Sequence, residues 1–450
     1  MITATATATT TATRTPKRST EVRTRRGAFR WTRPAVEHQG ALPFRRRSER
    51  LDRLFRLSIV GLTLLALAAA VGLTPSGRRL VGSLPDRARR LLNAAVGLEP
   101  DRAEVEATRH RERLAKIEGT RSALRDLERE PKMRAFLKAA RMDADSAVVR
   151  WGNFDWTLAL SSAVFAPDDL RSYRLLPKTR SIWLINLTVY RVQAMFEIPD
   201  TPEARALGEA VGGRVVPESV QTTNSWGCRG PEPDPSAPVR GIVLGDSNMQ
   251  GLLVGDDQAP PSRLGAILAR DRGCAASILN TGHLGYSIEQ YYQTLVAYYD
   301  RLRPTFVVVS ICNNDLGDMT NPADLAEGEY WLDRINQFCR TRRVSALIVP
   351  VPSEDLMVGV RNEATFPGKV SAIAKVTGIS YLDPLEEFAA EHFRLKGEAR
   401  RQGRPFPHSP LFNRRYGDNH MSPEGSNLWA RIVARRLGVI LDDRQSSGLP

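Results

Sequence analysis

Cysteine is scarce in this chain. Cys228, Cys274, Cys312 and Cys339 are widely separated, and no two of them form a C-x-x-C pair, so neither a zinc ribbon nor a thioredoxin-type site is expected. No disulfide framework is implied, and the four read as small buried hydrophobes. Histidine is nearly as rare, with six residues, so any imidazole base must come from a short list. Also missing are H-E-x-x-H, G-x-x-x-x-G-K and a G-x-G-x-x-G after a strand. Accordingly no metal, nucleotide or nicotinamide cofactor is expected.

What is present is an ordinary globular composition, 42% hydrophobic and 25% charged, which excludes a wholly disordered or fibrous chain. At 450 residues there is room for a catalytic domain and further regions. The net charge of +14 would suggest nucleic acid, but residues 1–56 hold 14 Lys/Arg against 4 Asp/Glu. The excess beyond that arm is too small for a face that grips a phosphate backbone, and no nucleic-acid partner is expected.

Residues 1–16 alternate Thr and Ala and read as disordered. Arg45, Arg46, Arg47, Arg50, Arg53 and Arg56 then lead into residues 57–73, LSIVGLTLLALAAAVGL, a run without charge. This run is just long enough for a transmembrane helix. The preceding cations place the N-terminus in the cytoplasm and the rest of the chain outside, as a signal-anchor, with the basic arm against anionic lipid headgroups. A cleaved signal peptide and a buried core helix are the alternatives.

The organisation expected is therefore a cytoplasmic arm at 1–56, a membrane helix at 57–73, a helical juxtamembrane stalk at 74–163, a catalytic domain at 164–440 and a tail at 441–450. In the stalk, Leu114, Ile117, Leu124, Leu127, Phe136 and Leu137 are spaced as on a helix among many charges, which suits a stalk or a helix laid on the main domain. The domain alternates short Val/Ile/Leu runs (241–244, 276–279, 305–311, 344–351, 379–382) with helical stretches (261–271, 287–302, 325–342, 384–396, 423–437). Such runs suit strands buried on both faces of a parallel sheet in a three-layer α/β/α domain. Ser287 with Gln290, and Ser422 before Pro423, are helix-start signals.

The first expected strand ends in Gly245, Asp246 and Ser247, and parallel sheets present working residues at the carboxyl ends of their strands. A serine at that turn stands above the sheet with its own N–H available to an oxyanion. Its hydroxyl needs a base. His38 lies in the arm, His110 in the stalk, His392 and His408 have no evident partner, and His283 has no acid to orient it. His420 follows Asp418 by two residues, close enough for the carboxylate to reach Nδ1 and fix the tautomer. The third strand ends in Cys312, Asn313, Asn314 and Asp315, which puts an amide, a suitable oxyanion donor, at the same edge. Gly282 and Gly285, after the second strand, can bring backbone N–H groups close to a ligand.

In this order the elements resemble the blocks of the SGNH (GDSL-type) hydrolase family: GDSNMQG (245–251), NTGHLG (280–285), CNND (312–315) and DNHMSPEG (418–425). FAPDDLRSYRLLP (165–177) and NSWGCRGPEP (224–233) resemble the lead-in of a subgroup, so the likeness spans about 164–440. The resemblance implies a flavodoxin-like α/β/α fold with Ser247 as nucleophile and Asp418 and His420 completing the triad. It further implies an oxyanion hole from the N–H groups of Ser247 and Gly285 and the amide of Asn314. Gly285 is preferred to Gly282 because the family glycine lies five residues after an Asn such as Asn280. Two departures are Cys312 where the third block usually begins with Gly, and D-x-H where D-x-x-H is frequent. The activity implied is acyl-ester hydrolysis on an acylated small molecule or polysaccharide, with O-acetyl groups of envelope or extracellular polysaccharide first. An O-acyltransferase using the same triad and a catalytically silent, membrane-tethered binding module are the alternatives.

Overall fold

The computed structural model describes residues 102–446 apart from 154–156, 190–191, 318 and 360–364. The arm, the expected membrane helix at 57–73 and the start of the expected stalk lie outside the described residues. Among the described residues no helix is long and apolar enough to cross a membrane.

Helices α1 (Arg102–Leu127) and α2 (Pro131–Ala139) precede two antiparallel hairpins, β1 (Val148–Trp151) with β2 (Thr157–Leu160), and β3 (Phe165–Asp168) with β4 (Ser172–Leu175). Next come β5 (Arg180–Val189), β6 (Val192–Pro199), α3 (Pro202–Ala210) and β7 (Arg214–Thr222), whose strands form an antiparallel sheet ordered β6-β5-β7. Along β5 the side chains alternate. Ile182 and Leu184 join a core with Phe136 and Leu137 of α2, whereas Trp183 and Ile185 face Val216, Leu252 and Leu253.

The remaining elements are β8 (Val239–Leu244), the short α4 (Ser247–Gln250), α5 (Pro260–Arg272), β9 (Ala276–Asn280), α6 (Ile288–Leu302), β10 (Phe306–Ile311), α7 (Pro322–Thr341), β11 (Ser345–Pro350), α8 (Glu354–Val358), α9 (Phe366–Thr377), β12 (Ser380–Tyr381), α10 (Leu385–Arg401) and α11 (Pro423–Ser446). The five strands are parallel in the order β12-β11-β10-β8-β9, the flavodoxin-like arrangement. Every residue of β10 is buried. Its Val307, Val309 and Ile311 pack under one helical layer with Leu295 of α6, Leu332 of α7 and Val370 of α9. Phe306 and Val308 pack under the other, with Leu264 of α5, Phe388 of α10 and Trp429 of α11. This two-sided burial explains why the strands read as continuous apolar runs.

Three expectations need correction. The boundary between stalk and domain does not fall at 163/164: Val148 and Leu160 of the first hairpin are buried in the same core as Ile242 and Leu279, and Leu124 of α1 packs on Ala147 and Val149. A few apolar positions suffice to dock a helix whose other positions are charged. Secondly, residues 441–446 continue the last helix and are not a tail. Thirdly, the reading had no place for α9 or for the sheet of β5, β6 and β7.

That extra sheet is joined to the parallel one through Arg229, which is 2% exposed. Its Nε donates to Asp256 Oδ1 at 3.0 Å, Nη2 to the Val254 carbonyl at 2.6 Å, and Nη1 to the carbonyls of Gly251, at 2.7 Å, and Gln250. Asp256 also accepts the N–H of Thr222 on β7 at 2.9 Å. Arg229→Leu leaves a carboxylate and three carbonyls without their donor, and is expected to cost about 3–5 kcal/mol. Arg229→Lys should recover little of it, because an ammonium lacks the planar fork. Denaturant unfolding of both variants checks this, and a loss below about 1 kcal/mol for Arg229→Leu would contradict the role.

Candidate active site

β8 stops at Leu244, and the chain turns through Gly245 and Asp246 into α4. Asp246 caps that helix, its Oδ1 accepting the Asn248 N–H at 2.9 Å and the Asn248 side-chain amide at 3.2 Å. Ser247 is therefore fixed at the first helical position, 7% exposed, with no acceptor for its own N–H among the described residues. In the sheet β8 lies between β10 and β9. The loops that follow those two neighbours flank Ser247 at the point where strand order reverses, where open α/β sheets form their ligand crevice.

The loop between α10 and α11 supplies the imidazole. His420 Nε2 lies 2.7 Å from Ser247 Oγ, and His420 Nδ1 lies 2.8 and 3.0 Å from the two oxygens of Asp418. Asp418 also accepts the His420 N–H at 3.1 Å, closing a local turn. Asn413 pins the loop, since its N–H donates to the His420 carbonyl at 2.9 Å and its amide to the Met421 carbonyl at 3.1 Å. Burial disfavours the imidazolium, but the charge and hydrogen bond of Asp418 outweigh it, with Asp246 adding, so His420 titrates above the ordinary histidine range. For Asp418 burial opposes ionisation, yet the imidazolium and backbone N–H donors hold its carboxyl below the usual range.

Asn314 sits in the 3-10 turn Asn313–Leu316, directly after β10. The turn is held by Asp315, which accepts the Cys312 N–H at 2.7 Å and the Tyr291 hydroxyl at 2.9 Å. Burial, and the charge of Asp246, push the Asp315 carboxyl well above its ordinary range. No hydrogen bond engages the side-chain oxygen of Asn314. On the other side of β8, Gly282 presses on α4 so closely that a Cβ there would overlap Gln250 N and Met249 C. Gly285 has φ +70°; its carbonyl accepts the Asn153 N–H at 2.5 Å, and its own N–H has no acceptor among the described residues.

His283 has a different task. Its Nδ1 lies 2.9 Å from the Thr281 carbonyl, and its Nε2 accepts the Leu175 N–H at 3.3 Å. Burial depresses its pKa to about 4, so it is a neutral structural residue. His408 lies beside Glu354 and His392 is buried in α10. Cys312, at the family's glycine position, takes a 3.6 Å contact from the Asn248 amide, and all four cysteines are unbridged. Sequence reasoning assigned no part to Arg229 or Gln250, although both stand inside the quoted motifs, and none to Glu197. For Arg229 and Gln250 the available signal was a charged or amide residue beside a turn glycine, Gly230 and Gly251; Glu197, between Phe196 and Ile198, has no such neighbour.

A cavity of about 190 Å³ on the side of the first hairpin reaches the Asn314 turn at Asp315 and is lined also by Trp151, Gly152, Ser287, Trp331 and the Arg109–Glu327 ion pair, with no triad residue in its lining. Comparison with known proteins follows the same outline. Residues 243–441 match the model of the GDSL-like lipase/acylhydrolase family. No curated protein matches the chain. Among solved structures, the SGNH-hydrolase family esterase AlinE4 is 20% identical, covering 32% of this chain and 75% of that one at a TM-score of 0.27. The psychrotrophic esterase EstA from Pseudoalteromonas sp. is 12% identical over 45% and 98% of the two chains, TM-score 0.34. The acetyl xylan esterase AlAXEase is 15% identical over 43% and 98%, TM-score 0.33. These likenesses are too low to bear on function. The family match, on a parallel sheet that carries the four blocks along one edge, identifies residues 243–441 as an SGNH (GDSL-type) hydrolase domain, that of a carboxylic ester hydrolase.

Proposed function

We propose that Ser247, His420 and Asp418 form the catalytic triad of a membrane-anchored esterase that works outside the cytoplasm. The observation that carries the triad is the unbroken line from Asp418 through His420 to Ser247, with contacts of 2.8 and 2.7 Å. His420 Nε2 takes the Ser247 proton as Oγ adds to the ester carbonyl. The oxyanion is met by the N–H groups of Ser247 and Gly285 and by the Asn314 amide, donors whose worth is greatest when charge develops on the oxygen. His420 then returns the proton to the departing alkoxide, leaving an acyl-serine, and water repeats the sequence to release the carboxylic acid.

The location rests on the sequence: an arginine-rich arm ahead of residues 57–73 favours an anchor with the catalytic domain on the far side. The substrate proposed is an O-acetyl group on envelope or extracellular polysaccharide. Its support is the family together with that location, and the two tryptophans beside charged groups in the cavity at the Asn314 turn suit a ring that is apolar on its faces and polar at its rim.

Ser247→Ala should remove turnover by about a millionfold in kcat while the protein stays folded; purified variant retaining a few per cent of activity would refute the nucleophile. The pH profile tests the base. Catalysis needs neutral His420, so the acid limb of kcat/KM should lie above about 6.5, the ordinary imidazole value. In Asp418→Asn the main raising influence is gone, and burial is opposed only by the weaker charge of Asp246. The limb should move to lower pH, and kcat should fall about 10⁴-fold; an unmoved limb assigns the titration to another group. For the location, protease added to intact spheroplasts should digest the catalytic domain, and protection until lysis would reverse the orientation.

A further inference from the structure

The loop that carries Gly285 is gripped by Gln250, which is held in turn by buried polar side chains from outside the matched segment. Gln250, the last residue of α4, is fully buried. Its Oε1 accepts the Leu284 N–H at 2.7 Å, and its Nε2 donates to Glu197 Oε2 at 2.7 Å and to Gln221 Oε1 at 3.3 Å. Glu197, on β6 and 4% exposed, accepts the Ser181 hydroxyl of β5 on its other oxygen at 2.5 Å. Gln221, on β7, donates to the Gly251 carbonyl at 3.2 Å.

This wiring leaves the Gln250 amide one orientation. Flipped, its NH₂ would face the Leu284 N–H and its oxygen would face the Glu197 carboxyl, two donors and two acceptors opposed. Leu284 is held at its other end as well, since the Tyr173 hydroxyl donates to the Leu284 carbonyl. That carbonyl and the Gly285 N–H belong to one planar trans peptide and point in opposite directions. Fixing Leu284 N–H and Leu284 C=O therefore fixes where the Gly285 N–H is aimed.

We infer that Glu197 and Gln250 are positioning residues that aim the Gly285 N–H at the oxyanion, so that the antiparallel sheet of β5, β6 and β7 is part of the catalytic apparatus. The inference rests on the proposed role of Gly285. Burying a carboxyl is costly unless its partners are fixed, and here every partner lies on the route to this one loop or on the strands that brace it.

The test uses the full chain and exchanges the pair. Gln250→Glu keeps an oxygen for the Leu284 N–H but sets a second one against Glu197, and misplacing a donor of this kind is expected to lower kcat by roughly 10- to 100-fold, with KM nearly unchanged. Combining it with Glu197→Gln restores a donor between the two side chains and should recover most of kcat. Tyr173→Phe, which deletes one oxygen and keeps the ring, offers a second variant with an expected loss of the same kind. The rate at which a fluorophosphonate probe labels Ser247 should fall in step with kcat. Variants that lose melting temperature yet label and turn over at the wild-type rate per folded molecule would overturn the inference. So would a double variant no better than Gln250→Glu alone. Wild-type protein that does not react with the probe would instead overturn the reading of Ser247 and, with it, the relay.

Discussion

A guanidinium removed from water stands behind Ser247, the proposed nucleophile. Arg229 satisfies one carboxylate and three main-chain carbonyls in the stretch that follows Ser247. A fully buried cation is tolerated only when its donors are matched in this way, and the match demands one conformation of residues 250–254. Gly251 is consequently held at φ +80°, and Leu252 and Leu253 are turned onto Trp183 and Val216. This polar joint and the Glu197–Gln250–Gln221 contacts thus tie the strand-end edge of the parallel sheet to the antiparallel sheet beside it, and the position of Ser247 depends on both.

Electrostatics around the serine follow from how unequally its carboxyl neighbours are treated. Asp418 is kept ionised by His420. Asp315, which braces the Asn314 turn, has its carboxyl pushed well above the ordinary range by burial and by Asp246. Environments that separate like groups in this manner commonly mark division of labour at a site.

The parallel sheet was legible because burial on both faces writes itself as unbroken apolar runs, as in Phe306–Ile311, and because Gly245, Asn280 and Cys312 follow the ends of such runs. The Asp418–His420 contact was legible because it is local, two residues apart. The antiparallel sheet was not. β5 slips register between Leu184 and Leu187, β7 carries Pro217 and Glu218 within its span, and a two-residue rhythm interrupted in this way no longer stands out. The Glu197–Gln250 contact joins residues 53 apart in sequence, and nothing in either local segment announces the other. Charge left α1 open between a stalk and a helix laid on the main domain, and Leu124, buried in a core with Ala147 and Val149, decides for the second.

The separation between Ser247 and His420, 173 residues, bears on when the protein becomes active. Chains are made from the N-terminus and fold in stages, so the serine, its turn and both flanking loops are synthesised well before the imidazole. His420 reaches Ser247 through a loop anchored by α11, whose Trp429 and Val433 complete one face of the sheet. A nascent or truncated chain lacking that helix carries the nucleophile with no base beside it. With the proposed triad, closure of the core and onset of reactivity are a single event, and a partly made molecule is chemically silent.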